Sequence, residues 1–363
     1  MAAAEDRIVA EARRAGFPLA GSAPIRPLSR AEYVDAWLAA GRAGEMRYLE
    51  RRPRARIDPR LAWPWVRSIV TLAFPYHPPP PPPVDWRTAL RGRVAAYALG
   101  TDYHDRVGAR LAHLIARLQA RWPEATFRPY VDTGPVLERE WAMRGGIGWI
   151  GRNTLILHRH AGSYFFLAEL LTDLMLEPSP LPADHCGTCD RCIAGCPTGA
   201  LDGYAMDARL CISYLTIEHR AAIPLSLRPA LENWVFGCDV CQEVCPWNRD
   251  ARGAGDAVLA PSLPELLALD AAGFRRRFAG TAIARAKRRG LLRNAAVALG
   301  NSGNPAAIPA LAGALRDPEP LVRSHTAWAL GRLGGREARN ALVEARRTEP
   351  DADVAAEIVA ALG

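Results

Sequence analysis

The 363-residue sequence predicts three domains: a mixed α/β domain over residues 1–175, a cysteine-rich domain over 176–252 and an all-α domain over 253–363. In the first half of the chain, strand-like runs alternate with helical patterns, as is typical of α/β domains. All eight cysteines lie between Cys186 and Cys245. From about residue 260 the pattern is helical only and repeats, which indicates stacked helical units.

The first domain is predicted to begin with two amphipathic helices, the second capped by Ser29, and to continue with alternating strands and helices. The proline tract 78–83 predicts a stiff polyproline loop. The glycine-rich stretch 145–151 predicts a turn that permits close backbone approach. The predicted helices cover 3–16, 31–43, 102–121 and 138–144, and the predicted strands cover 66–74, 126–131, 153–157 and 164–171.

The cysteine-rich domain begins with the pattern C-x2-C-x2-C-x3-C-P of bacterial ferredoxins, and a second cysteine group follows. In such domains three thiolates of one group hold a [4Fe-4S] cluster, while the fourth reaches the other cluster. A bacterial-type two-cluster ferredoxin domain is therefore predicted. One cluster would be held by Cys186, Cys189, Cys192 and Cys245, and the other by Cys196, Cys211, Cys238 and Cys241.

Two other interpretations of the cysteines are weaker. Structural zinc sites usually consist of two C-x2-C pairs rather than this run. A disulfide framework needs an oxidising compartment and is usual in small chains. Two clusters would make the protein an electron carrier or a reductase.

The C-terminal domain repeats with a period of 31 or 32 residues. Arg293-Asn-Ala-Ala-Val-Ala-Leu-Gly300 matches the stretch from Arg323 to Gly331, and the chain ends on the same Leu-Gly. The period is typical of paired helices in a HEAT-like solenoid, which builds a surface for a macromolecular partner. A packing cap with no binding role is the alternative.

The net charge is +8, carried almost wholly by arginine, with Lys287 the only lysine. The balance favours a polyanionic partner such as nucleic acid, although a GC-rich genome would also raise the arginine content. There is no export signal at the N-terminus and no apolar run of about 18 residues. We expect a soluble cytoplasmic protein that makes no membrane contact.

Most of the chain resembles one family. The resemblance covers residues 40 to 305, and it continues through both cysteine groups. Its motifs are Arg56-Ile-Asp-Pro-Arg60, Tyr97 to His104, Val131-Asp-Thr-Gly-Pro-Val-Leu-Glu-Arg139, Gly148-Trp-Ile-Gly-Arg-Asn-Thr154, Gly162-Ser-Tyr-Phe-Phe-Leu167, Cys211 to Glu218, Gly237 to Asn248 and Leu292 to Asn301. On these motifs the chain is similar to the epoxyqueuosine reductases, cobalamin-dependent iron–sulfur enzymes of queuosine synthesis.

The resemblance implies an enzyme that reduces epoxyqueuosine to queuosine at the wobble position of tRNA anticodons. It also implies that the α/β domain binds cobalamin, that the two [4Fe-4S] clusters feed it electrons, and that an unidentified low-potential donor supplies them. A monomer is expected. The alternatives are another cobalamin and iron–sulfur reductase, such as a reductive dehalogenase, or a plain ferredoxin-type electron carrier.

Asp132 is the predicted proton donor to the departing oxygen, since it matches the aspartate of the family's Asp-Thr-Gly-Pro motif. Its alternative role is to cap a turn. A carboxyl group that donates a proton near neutral pH needs a raised pKa, which burial beside a corrin would provide. By the same motif matching, the predicted cobalamin contacts are Arg56, Asp132, Ile156, Leu167, Ser213, Asp239 and Val240.

One position departs from the family pattern: Arg152 stands where the family usually has lysine in Gly-Trp-Ile-Gly-Lys-Asn, so a point-charge contact would be changed. For tRNA, basic side chains near the Thr-Ile-Glu motif and at the start of the repeats are the candidates, and Tyr103, Tyr214 and Trp247 are candidates for stacking a splayed base. The predicted tRNA contacts are His219, Arg220, Arg285, Lys287, Arg288, Arg289 and Arg293.

Overall fold

The computed structural model describes residues 3–28, 30–76, 84–251 and 260–363. The predicted cap Ser29, the proline tract and the predicted boundary after residue 252 lie outside these ranges. The chain folds as two compact units. The first comprises Met1–Pro79, Thr101–Ala208 and Val240–Asp256, and the second comprises Pro80–Gly100, Arg209–Asp239 and Ala257–Gly363. The three-domain division drawn from the sequence stays a prediction.

The strands of the first unit form a four-stranded sheet in the order β1-β2-β7-β4, and every neighbouring pair is antiparallel. Alternation of strands and helices therefore does not produce a parallel sheet here. In the described residues the strands are β1 Leu19–Pro24, β2 Ser68–Pro75, β3 Arg93–Val94, β4 Phe127–Tyr130, β5 Trp149–Ile150, β6 Ile156–Leu157, β7 Phe165–Thr172, β8 Leu201–Asp202, β9 Ala205–Met206 and β10 Trp234–Phe236.

The predicted helices form within two residues of their expected bounds, except that the helix predicted over 31–43 ends at Ala39. Asp102 caps the helix Tyr103–Arg121 by accepting the His104 N–H. The described α-helices are α1 Ala4–Arg14, α2 Ala31–Ala39, α3 Pro53–Ile57, α4 Trp86–Ala89, α5 Tyr103–Arg121, α6 Glu138–Arg144, α7 Arg191–Ala194, α8 Ile212–Ile217, α9 Val240–Glu243, α10 Leu263–Leu267, α11 Ala271–Phe278, α12 Lys287–Ser302, α13 Ile308–Ala314, α14 Pro320–Leu333, α15 Gly335–Thr348 and α16 Ala352–Leu362. Short 3-10 helices lie at Arg47–Leu49, Pro59–Leu61, Ala96–Ala98, Ala208–Leu210, Pro229–Leu231, Pro246–Asn248, Ala282–Ala286 and Pro305–Ala307.

Helix α6 lies on the sheet of the first unit and sets the position of the loop before it. Trp141 is wholly buried in the core formed with Ile69 and Leu171. At the end of α6 a Cβ on Gly145 would lie 2.1 Å from the Oγ1 atom of Thr71 on β2. Only glycine permits this approach, so the helix is held tightly against β2.

The strand predicted over 153–157 is shorter than expected. Only Ile156 and Leu157 pair, with Ile150 and Trp149 in β5. The Asn153 side chain accepts the Leu155 N–H, and Thr154 has φ +63°, so these residues form a turn. Local side-chain hydrogen bonding therefore overrides the strand pattern here.

The second unit contains the helical repeats, and the Leu-Gly pairs explain how they stack. A Cβ on Gly300 in α12 would lie 2.8 Å from the Ala329 Cα in α14. A Cβ on Gly331 in α14 would lie 2.7 Å from the Ala361 Cβ in α16. The repeated glycine thus lets the backbones of successive repeats approach closely, while Leu299 and Leu330 are wholly buried. Within the described residues, no helix combines the length and apolar character that crossing a membrane requires.

Candidate active site and cluster site

The four cysteines predicted to hold one cluster line a single cavity of about 230 Å³ in the first unit. Three come from the loop that leads into and includes α7, and the fourth directly precedes the 3-10 helix Pro246–Asn248. All eight cysteines of the chain are free thiols, which excludes a disulfide framework in this structure. The four are Cys186, Cys189, Cys192 and Cys245.

Hydrogen bonds fix the first cysteine loop. Asp184 Oδ1 accepts the Cys186 N–H at 2.7 Å, and the indole N–H of Trp149 donates to the Cys186 Sγ at 3.5 Å. The Arg152 guanidinium donates to the Gly187 carbonyl at 2.8 Å. Such contacts around a sulfur ligand orient it and adjust its electron density.

The four cysteines fit a cluster by their spacing, since three of them stand in the ferredoxin run and the fourth lines the same cavity. Burial raises the pKa of the Cys245 thiol to about 11, and the charges of neighbouring thiols also raise it. Four thiolates here need positive charge between them, and the iron atoms of a cubane supply it.

The second cysteine group is divided between the units. Cys196 and Cys241 belong to the first unit, while Cys211 and Cys238 belong to the second. The Cys196 Sγ accepts the Ala200 N–H at 3.3 Å, as a thiolate ligand does. That these four cysteines hold the second cluster stays a prediction.

Asp132 lies in the loop between β4 and α6, at the open end of an aromatic stack. Its Oδ2 accepts the Tyr103 hydroxyl at 2.8 Å, and the His104 Nε2 is 3.8 Å from the same oxygen. The Asp132 side chain is 62% exposed, so the chain itself does not provide the burial expected of a proton donor. The other ring nitrogen of His104 is 2.7 Å from the Asp102 Oδ1.

The stack itself orients the partners of Asp132. The Tyr103 ring is stacked on Phe166 of β7, with centroids 4.5 Å apart and planes 4° apart. On its own helix it also stacks on His104, at 4.1 Å. Sequence reasoning missed Tyr103 as a partner of the acid and missed His104, although both lie in the Tyr97 to His104 motif.

Two further carboxyl groups lie behind Asp132, and sequence reasoning missed both. Glu138 Oε1 accepts the backbone N–H of Asp132 at 2.6 Å. Glu169 is wholly buried in β7, and in the described chain neither of its oxygens has a hydrogen-bond partner. Burial raises the pKa of Glu138 to about 7, and the charge of Asp132 adds to this. A glutamate inside the apolar run Phe165 to Leu171 was the available signal.

Of the predicted cobalamin contacts in the first unit, Arg56 has the clearest role. Its guanidinium donates to the Tyr48 and Gly134 carbonyls, at 3.0 and 3.4 Å, while its buried Nε has no partner among the described residues. Ile156 is buried, and Leu167, which is only partly buried, packs against the same apolar cluster. That Arg56, Ile156 and Leu167 contact cobalamin stays a prediction.

The remaining cobalamin candidates lie close to cluster cysteines. Val240 begins α9 in the first unit, and Ser213 lies in α8 of the second. Asp239 is buried in the second unit, and its carboxylate accepts the Ala96 N–H at 2.6 Å. Asp239 therefore ties its segment to the backbone at Ala96, and its contact with cobalamin stays a prediction.

Two of the predicted tRNA contacts, which stay predictions, have side chains that bond inside the second unit. Arg293 is wholly buried and donates to the carbonyls of Leu215, His219 and Ala221. Arg288 is mostly buried and forms an ion pair with Asp317. A basic cluster at the start of a helix thus has an inner and an outer face, which residue type alone does not reveal.

The other basic candidates remain on the outside of the unit to different degrees. Lys287 and Arg289 are exposed. Arg285 is half exposed and forms a two-pronged ion pair with Glu218, which Arg220 also approaches at 3.9 Å. His219 is partly buried beside the Tyr214 ring.

Of the aromatic candidates, two are packing residues. Tyr214 is buried. Trp247 packs edge-on against Trp149, with centroids 5.2 Å apart, and near His185 beside the first cysteine cavity. The buried Tyr214 offers little ring surface for stacking a base, whereas Trp247 is partly exposed and its stacking role stays a prediction.

Three family models match the chain. One described as an epoxyqueuosine reductase domain (QueG, DUF1730) matches residues 56–133, and one described as a 4Fe-4S double cluster binding domain matches residues 185–248. A model of HEAT repeats matches residues 261–363. The predicted two-cluster ferredoxin domain and the predicted helical repeats are thereby confirmed.

Curated relatives match over nearly the whole chain. The epoxyqueuosine reductase of Pseudomonas aeruginosa is 43% identical, over 89% of this chain and 92% of its own length. That of Xanthomonas campestris is 41% identical, over 90% of this chain and 96% of its own. The Escherichia coli enzyme is 39% identical, over 85% of this chain and 84% of its own.

Solved structures agree in fold. An epoxyqueuosine reductase solved with an epoxyqueuosine-modified tRNA stem loop is 29% identical, with a TM-score of 0.91 over 98% of this chain and 97% of that one. The Bacillus subtilis enzyme, solved with an aspartate-bearing catalytic loop swung out of the active site, is 27% identical, with a TM-score of 0.89 over 98% of this chain and 97% of that one. In sequence and in fold, this chain belongs to the epoxyqueuosine reductases, a family of oxidoreductases.

Proposed function

We propose that the chain reduces epoxyqueuosine to queuosine at the wobble position of a tRNA anticodon, with Asp132 as the proton donor. Both C–O bonds of the epoxide break, an alkene forms, and the oxygen leaves as water. The reaction consumes two electrons and two protons. The observation that carries the proposal is the exposed carboxyl group of Asp132, which Tyr103 and His104 hold in a chain that also carries the two-cluster cysteine set.

Asp132 is placed to protonate a group that arrives from outside. The hydrogen bond from Tyr103 fixes its Oδ2, so the exposed Oδ1 is free to carry and donate the proton. The contact with Asp102 orients the His104 ring so that Nε2 faces Asp132. His104 is therefore the residue that returns a proton to Asp132 after the first transfer.

Cobalamin is the proposed cofactor, because the clusters carry electrons one at a time and no amino-acid side chain stores low-potential electrons. When bound, it would supply the two electrons that side chains cannot store. The charge of Arg56 would meet an amide side chain or the nucleotide-tail phosphate of the cofactor, and Leu167 would act through its backbone groups. The proposal also includes backbone contacts from Ile156, Ser213, Asp239 and Val240.

The clusters would pass electrons one at a time from an external low-potential donor protein. Cys186, Cys189, Cys192 and Cys245 would hold one cluster, as their shared cavity supports. Cys196, Cys211, Cys238 and Cys241 would hold the other. The proposed partner tRNA fits the exposed Lys287 and Arg289, since phosphates are bound through such cations.

A single assay tests the function. Anaerobically reconstituted protein, supplied with cobalamin and a low-potential reductant, is incubated with tRNA that carries epoxyqueuosine. Nucleoside mass spectrometry is expected to show the loss of one oxygen atom. Protein that contains iron and cobalamin but leaves the epoxide intact would overturn the proposal, and halocarbon reduction by the same protein would favour the dehalogenase alternative.

A further inference from the structure

The backbone of Asp132 adopts a conformation that needs support. Its φ is +58°, a left-handed value that is uncommon for residues other than glycine. The 2.6 Å hydrogen bond from the Asp132 N–H to the Glu138 carboxylate supports this backbone conformation. Glu138 begins α6, which packs on β2 and β7, so the sheet carries this contact.

Glu138 in turn lies against a second carboxyl group. Glu169 is on β7, opposite Tyr130 of β4 and Thr71 of β2, and its side chain is wholly buried. Burial raises the pKa of Glu169 well above its ordinary value, and the charges of Glu138 and Asp132 raise it further. No donor among the described residues serves the Glu169 oxygens, but a proton shared with Glu138 would.

The charges around this pair come from four elements. Arg56 on α3 and Arg139 on α6 favour an ionised Glu138, and so does its hydrogen bond with Glu169 on β7, while the charge of Asp132 in the loop opposes it. Arg56 also donates to the Gly134 carbonyl of the same loop. Full ionisation of the pair would place three carboxylates together against these cations, and the resulting repulsion would act on the loop that carries Asp132.

We propose that Glu138 is a positioning residue for Asp132, and that the proton it shares with Glu169 keeps loop 131–137 in the arrangement that presents the acid. That Glu138 holds loop 131–137 in place does not depend on the proposed function. That this arrangement serves proton donation by Asp132 rests on the proposed function.

Hydrogen–deuterium exchange of the reconstituted holoenzyme tests the structural half without turnover. Glu138→Ala removes the acceptor, so peptides that cover 131–137 are expected to exchange at least tenfold faster than in the unmodified protein. Glu138→Gln keeps an acceptor oxygen and should restore most of the protection. Glu140→Gln is the matched control, because Glu140 pairs with Arg144 on the same helix. Unchanged exchange in Glu138→Ala would overturn the inference.

The pH dependence tests the shared proton. In the unmodified enzyme, loop protection and kcat should both fall as the pH rises above about 7, while KM for tRNA stays within twofold. Glu169→Gln offers a donor that cannot ionise, so loop protection and kcat should persist to higher pH in this variant. If it fails to fold, the pH profile of Glu138→Gln is compared with that of the unmodified enzyme instead. A variant profile identical to the original would refute the shared proton. If loop exchange responds as expected but the protein never reduces the epoxide, the positioning role of Glu138 is supported and the proposed function is overturned.

Discussion

Arg293 and Glu169 are both wholly buried ionisable residues, but their surroundings differ completely. In the repeats of the second unit, Arg293 donates to three carbonyls and to the Asn294 side chain, whose amide in turn donates to the Thr216 and Val235 carbonyls. In the first unit, Glu169 has no donor within the described ranges. A saturated polar network specifies a fold, whereas an unsatisfied carboxyl group beside an exposed acid retains a proton that can be used.

His325 extends the contrast. It too is buried in the second unit, where Nε2 accepts the Ile223 N–H and Nδ1 is paired with the Leu321 carbonyl. Burial lowers the pKa of His325 well below its ordinary value, so the ring is neutral and purely structural. In both regions burial favours the neutral form. The pKa of Glu138 is thereby raised to about 7, whereas the pKa of His325 is lowered well below its ordinary value.

The largest expected effect concerns the exposed acid itself. Asp132→Asn keeps the shape and an acceptor for Tyr103 but carries no transferable proton, so epoxide reduction should fall about a thousandfold. The measurement is single-turnover reduction of epoxyqueuosine in tRNA. Iron and cobalamin contents should match those of the unmodified protein, and a variant with normal turnover would exclude the proton-donor role.

The next effect breaks the saturated network. Arg293→Met leaves the Leu215, His219 and Ala221 carbonyls unpaired in the core, which should cost about 3–5 kcal/mol of unfolding free energy. Urea denaturation followed by the helical circular dichroism signal measures it. The exposed Arg289, replaced by Met, is the control and should change stability by less than about 0.5 kcal/mol. Equal losses in both variants would contradict the burial argument.

These contrasts also show what the sequence could predict. Cysteine spacing and a repeated Leu-Gly are local patterns, so the cluster domain and the helical repeats followed from them. The face on which Arg293 points depends on packing against α8 and β10, which no local pattern encodes. Glu169 and Glu138 meet only because β7 and α6 fold together, so no local pattern predicts their pairing, whereas a sequence motif does identify Asp132.

The stability of the first unit should depend on pH with a definite sign. Because the folded-state pKa of Glu138 is raised to about 7, its contribution is complete below about pH 4.5 and is lost as the pH rises through 7. We expect the unmodified protein to lose about 1–3 kcal/mol of stability between pH 5 and pH 8. Glu169→Gln should flatten this part of the curve, as thermal melting at several pH values would show. An equally steep loss in that variant would assign the pH dependence to other groups.

The smallest effect separates the exposed from the buried members of the basic cluster. Lys287 and Arg289 are exposed at the start of α12, so their replacement by Ala should weaken tRNA binding about fivefold each, and should lower the salt dependence of the binding constant by about one unit per lost phosphate contact. Fluorescence anisotropy with a labelled anticodon stem loop, measured over a range of salt concentrations, provides both values. Arg346→Ala, an exposed arginine on α15, is the matched control for net charge. If Arg346→Ala has the same effect, the cluster contributes only its charge and not its position, and the repeats bind tRNA by their overall field rather than through a defined surface at α12.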